Sequence, residues 1–303
     1  MKGAGKQTAA KGIVELDSLA KLDVMPMPVC TSENLGWCGF KLERFFVSGG
    51  ISTPEKSFTS HVISITVGGE YKNNFPVTGG QRDLIYQRGE VLLLPAHYPS
   101  TGYDPKEMDL LTIYLEPGFV EQIARDLVVG ERVELVPQFK LDDCFVGDIS
   151  AYLLRETETN GTTGNLYAES LMTALAAKLI KNYSTARVLP HKYKGGLAKH
   201  KLRSTIEFIN EHLSEDLSLN ALAALCDLSL YHFVRVFKQS TGFTPHNYVM
   251  RERIERAKQL LRETNLTVTE LAFQLGFADQ PHFTKIFRQH TGATPTDFQI
   301  KSR

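Results

Sequence analysis

Two stretches decide the fold: Phe237-Lys238-Gln239-Ser240-Thr241-Gly242-Phe243-Thr244-Pro245 and, fifty residues on, Phe287-Arg288-Gln289-His290-Thr291-Gly292-Ala293-Thr294-Pro295. The likeness continues upstream. His232, Phe233 and Arg235 recur at the same offset as His282, Phe283 and Lys285. Across a one-residue insertion, Leu219, Leu222, Ala223, Asp227 and Leu228 recur 49 residues later as Val268, Leu271, Ala272, Gly276 and Phe277. Self-similarity in this order and at a fixed period marks a duplicated supersecondary unit.

Each copy reads as a short helix, a tight turn and a second helix. In the first, Leu219 to Cys226 leads, Asp227-Leu228-Ser229 turns and Leu230 to Ser240 follows. Ser229 and Asp279 offer side-chain oxygens to the open amides that begin a helix, so they are expected N-caps. Gly242 and Gly292 are expected to stop the second helices. Such a pair is helix-turn-helix organisation, in which the second helix enters the DNA major groove. On the second helix of the first copy, Phe233, Val236, Phe237 and Ser240 share one face by i, i+3, i+4, i+7 spacing and should pack inward. Tyr231, Val234, Arg235 and Lys238 share another face. In the second copy Phe283, Ile286 and Phe287 point in, leaving Gln280, Pro281, Thr284, Lys285 and Arg288 outside. Arg and Lys donate to guanine, Gln pairs with adenine, and Val or Thr meets a thymine methyl, so these outward faces suit base reading. His232 and His282, equivalent in the two copies, read as phosphate or helix-start contacts, with a buried structural role as the alternative. A metal role lacks a His, Cys or carboxylate partner one helical turn away.

The copies are joined by a longer helix opened by Pro245 and running to about Glu263, since proline suits a first helical turn. Its charged run, Arg251, Glu252, Arg253, Glu255, Arg256 and Lys258, reads as a water-facing surface. Upstream, Lys199 to Leu213 is amphipathic, with Leu202, Ile206, Ile209 and Leu213 on one stripe. The stretch 184–197, with Pro190, Gly195 and Gly196, reads as a linker.

The first half has a different rhythm. From about Trp37 to Leu115, runs such as His61–Val67, Val91–Leu94 and Leu110–Leu115 are separated by Gly49-Gly50, Gly68-Gly69, Gly79-Gly80 and Pro95, which suggests an antiparallel barrel or sandwich. Phe119 to Val128 and Leu166 to Tyr183 turn helical. The expected architecture is therefore α+β in two domains: a β-barrel with flanking helices over 1–183, the linker 184–197, and an all-α domain with two helix-turn-helix motifs over 198–303.

Composition sets the outer limits. The chain has 303 residues, 34 Lys+Arg and 34 Asp+Glu, with 42% hydrophobic residues, which fits a globular protein and not a disordered one. The zero net charge hides an asymmetry, because residues 198–303 hold 14 basic against 11 acidic side chains. No apolar run reaches the ~18 residues of a membrane helix, and Met1 to Gly12 lacks the apolar core of a secretory signal. The four cysteines, Cys30, Cys38, Cys144 and Cys226, form no C-x-x-C pair and read as reduced thiols of a cytoplasmic protein.

The duplicated region resembles the AraC/XylS family of bacterial transcription regulators over roughly 198–303. The pattern Gly276-Phe277-Ala278-Asp279-Gln280, His282-Phe283-x-x-x-Phe287 and Gly292-x-x-Pro295 carries the likeness. It implies seven helices, a rigid central helix, and two recognition helices in successive major grooves of double-stranded DNA. Base contacts map to Tyr231, Val234 and Arg235, and to Gln280, Pro281, Thr284 and Lys285. The first recognition helix, with Leu230, Tyr231 and Val234, is less polar than in many members, so its readout leans on methyl contacts and shape. Gly89-Glu90-Val91-Leu92-Leu93-Leu94-Pro95-Ala96-His97 is similar to the G-x5-P turn of a cupin barrel, the family's common sensor domain. The helix around Leu166–Leu171 resembles the segment that follows it. These likenesses imply a small-molecule effector, a homodimer, activation of transcription and contact with RNA polymerase.

A cupin can also be a metal-dependent enzyme, but catalytic members carry an H-x-H pair. Here His61 is followed by Val62 and Ile63, and His97 is the only histidine near the turn. Ser60, Asp83 and His97 lack the glycines of a nucleophile elbow, and no phosphate-cradling loop is present. The reading is a regulator that needs no cofactor or metal, is not an enzyme, and is gated by an effector whose contact residues the sequence leaves unknown. The alternative is a ligand-independent regulator whose barrel only dimerises or contacts a partner.

Overall fold

The structure, a computed structural model, describes residues 13–77, 80–104, 107–128, 133–186 and 195–302. It divides into two compact units: residues up to 31 with 42–117 and 136–143, and residues 32–41 with 118–135 and 144–303. Part of the expected linker, 187–194, lies outside the described residues, as does the basic stretch 1–12.

The first unit is built from β1 (Val14–Leu16), β2 (Cys30–Thr31), β3 (Phe40–Val47), β4 (Ile51–Ser52), β5 (Lys56–Phe58), β6 (His61–Val77), β7 (Gly80–Gln87), β8 (Val91–Leu94), β9 (Thr101–Asp104), β10 (Met108–Leu115) and β11 (Gln138–Leu141). The strand β6 organises it. Its first half pairs antiparallel with β10 and β8, and its second half with β7 and β9. Expected strands fall inside β6, β8 and β10. Gly68-Gly69, however, does not separate two strands, because β6 runs straight through it for 17 residues. Gly69 instead takes φ +72° opposite a bulge at Asp109/Leu110, and a Cβ there would lie 1.9 Å from the Glu107 carbonyl oxygen. Glycine serves this bulge by allowing a left-handed residue and close backbone approach.

Along the second half of β6, Tyr71, Asn73 and Phe75 are buried in alternation, as a half-buried strand requires. Tyr71 and Phe75 join Phe45, Val47, Val62, Tyr86, Leu92, Leu94, Leu110 and Tyr114 in one hydrophobic core of this strand-built unit. Arg44 of β3 clamps Asp109 of β10 through two bonds, Nε to Oδ1 at 2.9 Å and Nη2 to Oδ2 at 2.7 Å.

The second unit is helical: α1 (Pro117–Leu127), α2 (Cys144–Glu158), α3 (Asn165–Asn182), α4 (Lys199–Glu211), α5 (Leu219–Leu225), α6 (Leu230–Thr241), α7 (Pro245–Glu263), α8 (Val268–Gln274), α9 (Gln280–Thr291) and α10 (Pro295–Ser302). The last seven match the count the resemblance implies. The starts of α5 to α9 all carry a side-chain cap. Ser218, Ser229, Thr244, Thr267 and Asp279 accept from backbone amides of α5, α6, α7, α8 and α9, and Thr267 with Glu270 completes a capping box. Gly242 and Gly292 end α6 and α9 at φ +82° and +79° as left-handed C-caps. Of the expected inward faces, Phe233, Val236 and Phe237 on α6 and Phe283 and Phe287 on α9 are buried, while Ser240 and Ile286 are half-buried.

A second expectation is overturned. Arg253, placed by its charged neighbours on a water-facing surface, is 5% exposed. Its guanidinium donates to the carbonyls of Leu213 (2.8 Å), Glu215 (2.8 Å) and Gly276 (2.9 Å) and lies over the Phe277 ring. These carbonyls come from the α4–α5 connection and the α8–α9 turn, so a single fork of donors replaces the water they would otherwise need. Burial lowers its pKa to about 10, which leaves it charged at neutral pH. Gly276 sits beneath it at φ +74°, where a Cβ would meet Arg253 Nη2 at 2.7 Å and the Ser214 carbonyl oxygen at 2.8 Å.

Arg253→Met strands three buried acceptors and should destabilise the helical unit by roughly 2–4 kcal/mol, read as a lower urea midpoint of the full chain. Gly276→Ala should also destabilise it. Because the two residues touch, the double variant should cost less than the sum of the singles.

Candidate nucleic-acid interface

The two second helices, α6 and α9, present the expected residues in three ways. Arg235 and Lys238 on α6, and Gln280, Pro281, Lys285 and Arg288 on α9, are exposed. Tyr231 and Val234 on α6 and Thr284 on α9 are half-buried, with their outer edges available. His232 and His282, the third residue of each helix, are also half-buried. On α9 the outward groups Gln280, Pro281, Thr284, Lys285 and Arg288, with Gln289 and Thr294, line one shallow concavity. Each helix thus carries two exposed cations on the face away from its buried phenylalanines, a placement suited to base edges and phosphates.

Local geometry fixes these positions. At the turn before α6, Asp227 takes φ +51°, and the turn before α9 uses Gly276 at +74°. Each turn is tied by a cation from another helix. Lys201 of α4 donates to the Cys226 carbonyl at 2.5 Å and pairs with Asp227 at 3.2 Å, as Arg253 of α7 does for Gly276. At the start of α9 the Gln280 Oε1 accepts from Thr269 Oγ1 of α8 at 2.6 Å, which orients the amide that the sequence singled out as a base reader. Thr269 was not a sequence candidate, since its role depends on α8 folding back beside α9.

The histidines differ from simple outward contacts. The His282 ring has a buried Nδ1 with no hydrogen-bond partner, and burial is the main cause lowering its pKa, countered chiefly by the Asp279 charge. The His232 backbone amide donates to the Ser229 cap and also to Asp126 Oδ2 of α1, both at 3.3 Å. A carboxylate from α1 therefore stands at the amino end of the first recognition helix, where a phosphate would otherwise find open amides and the positive end of the helix dipole. Nothing in the local sequence of α1 signals this contact. Nearby, His246 at the start of α7 packs against Tyr167 of α3 with ring centroids 5.0 Å apart. Burial depresses its pKa to about 4, so it is neutral at physiological pH.

In the barrel, His61 and His97 do not converge on a metal. The His61 Nδ1 accepts the Ala96 amide at 3.1 Å, and its pKa falls to about 4, first through burial and then through the neighbouring His97 charge. His97 turns outward to Glu15. Among the described residues no group of His, Cys, Asp and Glu is placed to hold a metal, and no helix is long and apolar enough to cross a membrane.

Paired helix-turn-helix units with outward basic second helices define the architecture of a DNA-binding transcriptional regulator. Comparison with known proteins agrees. Residues 222–300 match the family model HTH_18, described as a helix-turn-helix domain. The chain is 28% identical over 215 residues to the uncharacterized HTH-type transcriptional regulator YbfI of Bacillus subtilis (strain 168), covering 66% of this chain and 74% of that protein. It is 39% identical over 79 residues to the HTH-type transcriptional activator RhaS of Salmonella schwarzengrund (strain CVM19633), covering 26% of this chain and 28% of RhaS. An AraC-type DNA-binding regulator from Chromobacterium violaceum, solved by crystallography, is 29% identical over 34% of this chain and 93% of its own, with a TM-score of 0.33. Residues 222–300 therefore carry a helix-turn-helix domain similar to that of HTH-type transcriptional regulators.

Arg235→Ala and Lys285→Ala should each cost about 1–3 kcal/mol on the cognate site and far less on random DNA if they read bases. An equal loss on both DNAs in fluorescence anisotropy at fixed salt would make them phosphate contacts. Lys238→Ala and Arg288→Ala should weaken all DNAs alike and each reduce the salt slope by about one.

Proposed function

We propose that this protein is a sequence-specific regulator of transcription, gated by a small molecule in its barrel, that binds double-stranded DNA through α6 and α9 in adjacent major grooves. The observation that carries the reading is the pair of recognition helices with Arg235, Lys238, Lys285 and Arg288 exposed on their outer faces. Gating is supported by a small, mostly apolar cavity within the strand-built unit. An effector can shift the DNA-binding state only by binding two conformations with different affinity. In this reading the protein works in the cytoplasm as a homodimer and activates transcription, with RNA polymerase as its further partner. The similarity to RhaS, a transcriptional activator, supports that direction.

Selection of genomic fragments with the full-length protein at ~150 mM salt, followed by footprinting, tests the DNA reading. A recurring sequence protected over two adjacent major grooves per subunit is the expected result, and sequence-independent retention alone would overturn it. The contact of Asp126 with the start of α6 supports a conformation unfavourable to phosphate. Asp126→Asn should raise affinity for the selected site without effector by roughly two- to fivefold, measured by anisotropy. An unchanged affinity would remove Asp126 from the gating mechanism.

A further inference from the structure

The barrel cavity has a water-accessible volume of about 60 Å³ and is lined mainly by Leu19, Ile51, Phe58, Val62, Leu92 and Leu94 together with a polar end. That polar end holds Lys56, which is 4% exposed. The Lys56 backbone is fixed in both directions by Ser100, its N–H donating to Ser100 O at 2.9 Å and its carbonyl accepting from Ser100 N at 2.8 Å. Its Nζ donates to Thr53 Oγ1 at 2.7 Å. That hydroxyl is already committed, accepting from the Gly102 amide at 2.8 Å and donating to the Gly102 carbonyl at 3.2 Å. A Cβ at Gly102 would crowd Thr53 Oγ1 at 3.1 Å, so glycine leaves that hydroxyl its place against β9. An ammonium has three donors, and Thr53 takes one. Beside it Asn73, 7% exposed, has a buried Oδ1 with no partner.

A lysine does not stay in an apolar interior without a counter-charge unless function holds it there. We propose that this cavity is the site of a small carboxylate whose negative group pairs with the Lys56 ammonium and whose short apolar body fills the remaining space. This rests on the ligand-gated reading above and names the chemistry of its effector. A hydroxyl on the ligand would find its acceptor in Asn73 Oδ1. The volume admits about four water-sized spheres, which suits an acid of the size of butyrate or hexanoate and not a long-chain lipid. The ionisable side chains lining the cavity are Lys56 and Tyr71, and burial raises the Tyr71 phenol so that it stays neutral. Burial also lowers Lys56 to about 8. A bound anion stabilises the ammonium and raises that value. Affinity is therefore full from about pH 6, where the ligand carboxylate is ionised, to about pH 8, and falls as pH climbs from there toward the bound value, up to tenfold per unit.

The test is thermal melting of the full chain with butyrate, hexanoate, their amides and 4-hydroxybutyrate, together with DNA binding under the same conditions. The expected result is a concentration-dependent rise in melting temperature with the carboxylates, little with the amides, and loss of the effect in Lys56→Met. Lys56→Gln serves as a second variant if methionine disturbs folding by circular dichroism. Amides as effective as acids, variants that keep the response, or no response to any carboxylate would each overturn the proposal. Carboxylate binding that leaves DNA affinity unchanged would overturn the gated reading and leave the anion site standing.

Discussion

The DNA-binding end of this protein depends on how two helix-turn-helix turns satisfy their backbone carbonyls. A tight turn between short helices leaves carbonyl oxygens that no helical amide can reach, and an unpaired buried carbonyl is costly. Each copy meets the need with a long cation from a neighbouring helix. Lys201 serves the Cys226 carbonyl, and Arg253 serves that of Gly276 along with two more from the α4–α5 connection. The choice of residue follows burial. Lys201 is partly exposed and pairs with Asp227, so a compact ammonium suffices. Arg253 is enclosed, and its planar fork reaches three acceptors at once.

That arrangement also explains an asymmetry between the copies. The residue ahead of each second helix is left-handed in both, at Asp227 and Gly276. Aspartate tolerates the conformation and gains an ion pair where the turn is open. Where the guanidinium and the Ser214 carbonyl press against the Cα, only glycine fits. With both turns held, α6 and α9 present Arg235, Lys238, Lys285 and Arg288 from stiff supports.

The barrel shows the opposite use of a buried cation. Arg253 is surrounded by carbonyls, whereas Lys56 has one hydroxyl and an apolar cavity around it. Both lose basicity by burial, but only the arginine has every one of its side-chain nitrogens hydrogen-bonded. Satisfied donors build structure, and unsatisfied donors beside an internal space invite a ligand.

The sequence by itself determined the duplicated helix-turn-helix, its caps at Ser229 and Asp279, its stops at Gly242 and Gly292, and the outward faces of α6 and α9. These depend on contacts within one turn of helix, where residue type and spacing are enough. It also set the strand-rich character of the first half through alternation and turn residues. What it could not determine were features that need partners distant along the chain: the passage of β6 through Gly68-Gly69 opposite a bulge, the burial of Arg253 amid a charged run, Asp126 at the start of α6, and Lys56 within the barrel. A charged residue reads as exposed until the fold decides whether carbonyls, a carboxylate or a cavity will surround it, and that decision belongs to tertiary structure because the surrounding atoms come from other elements.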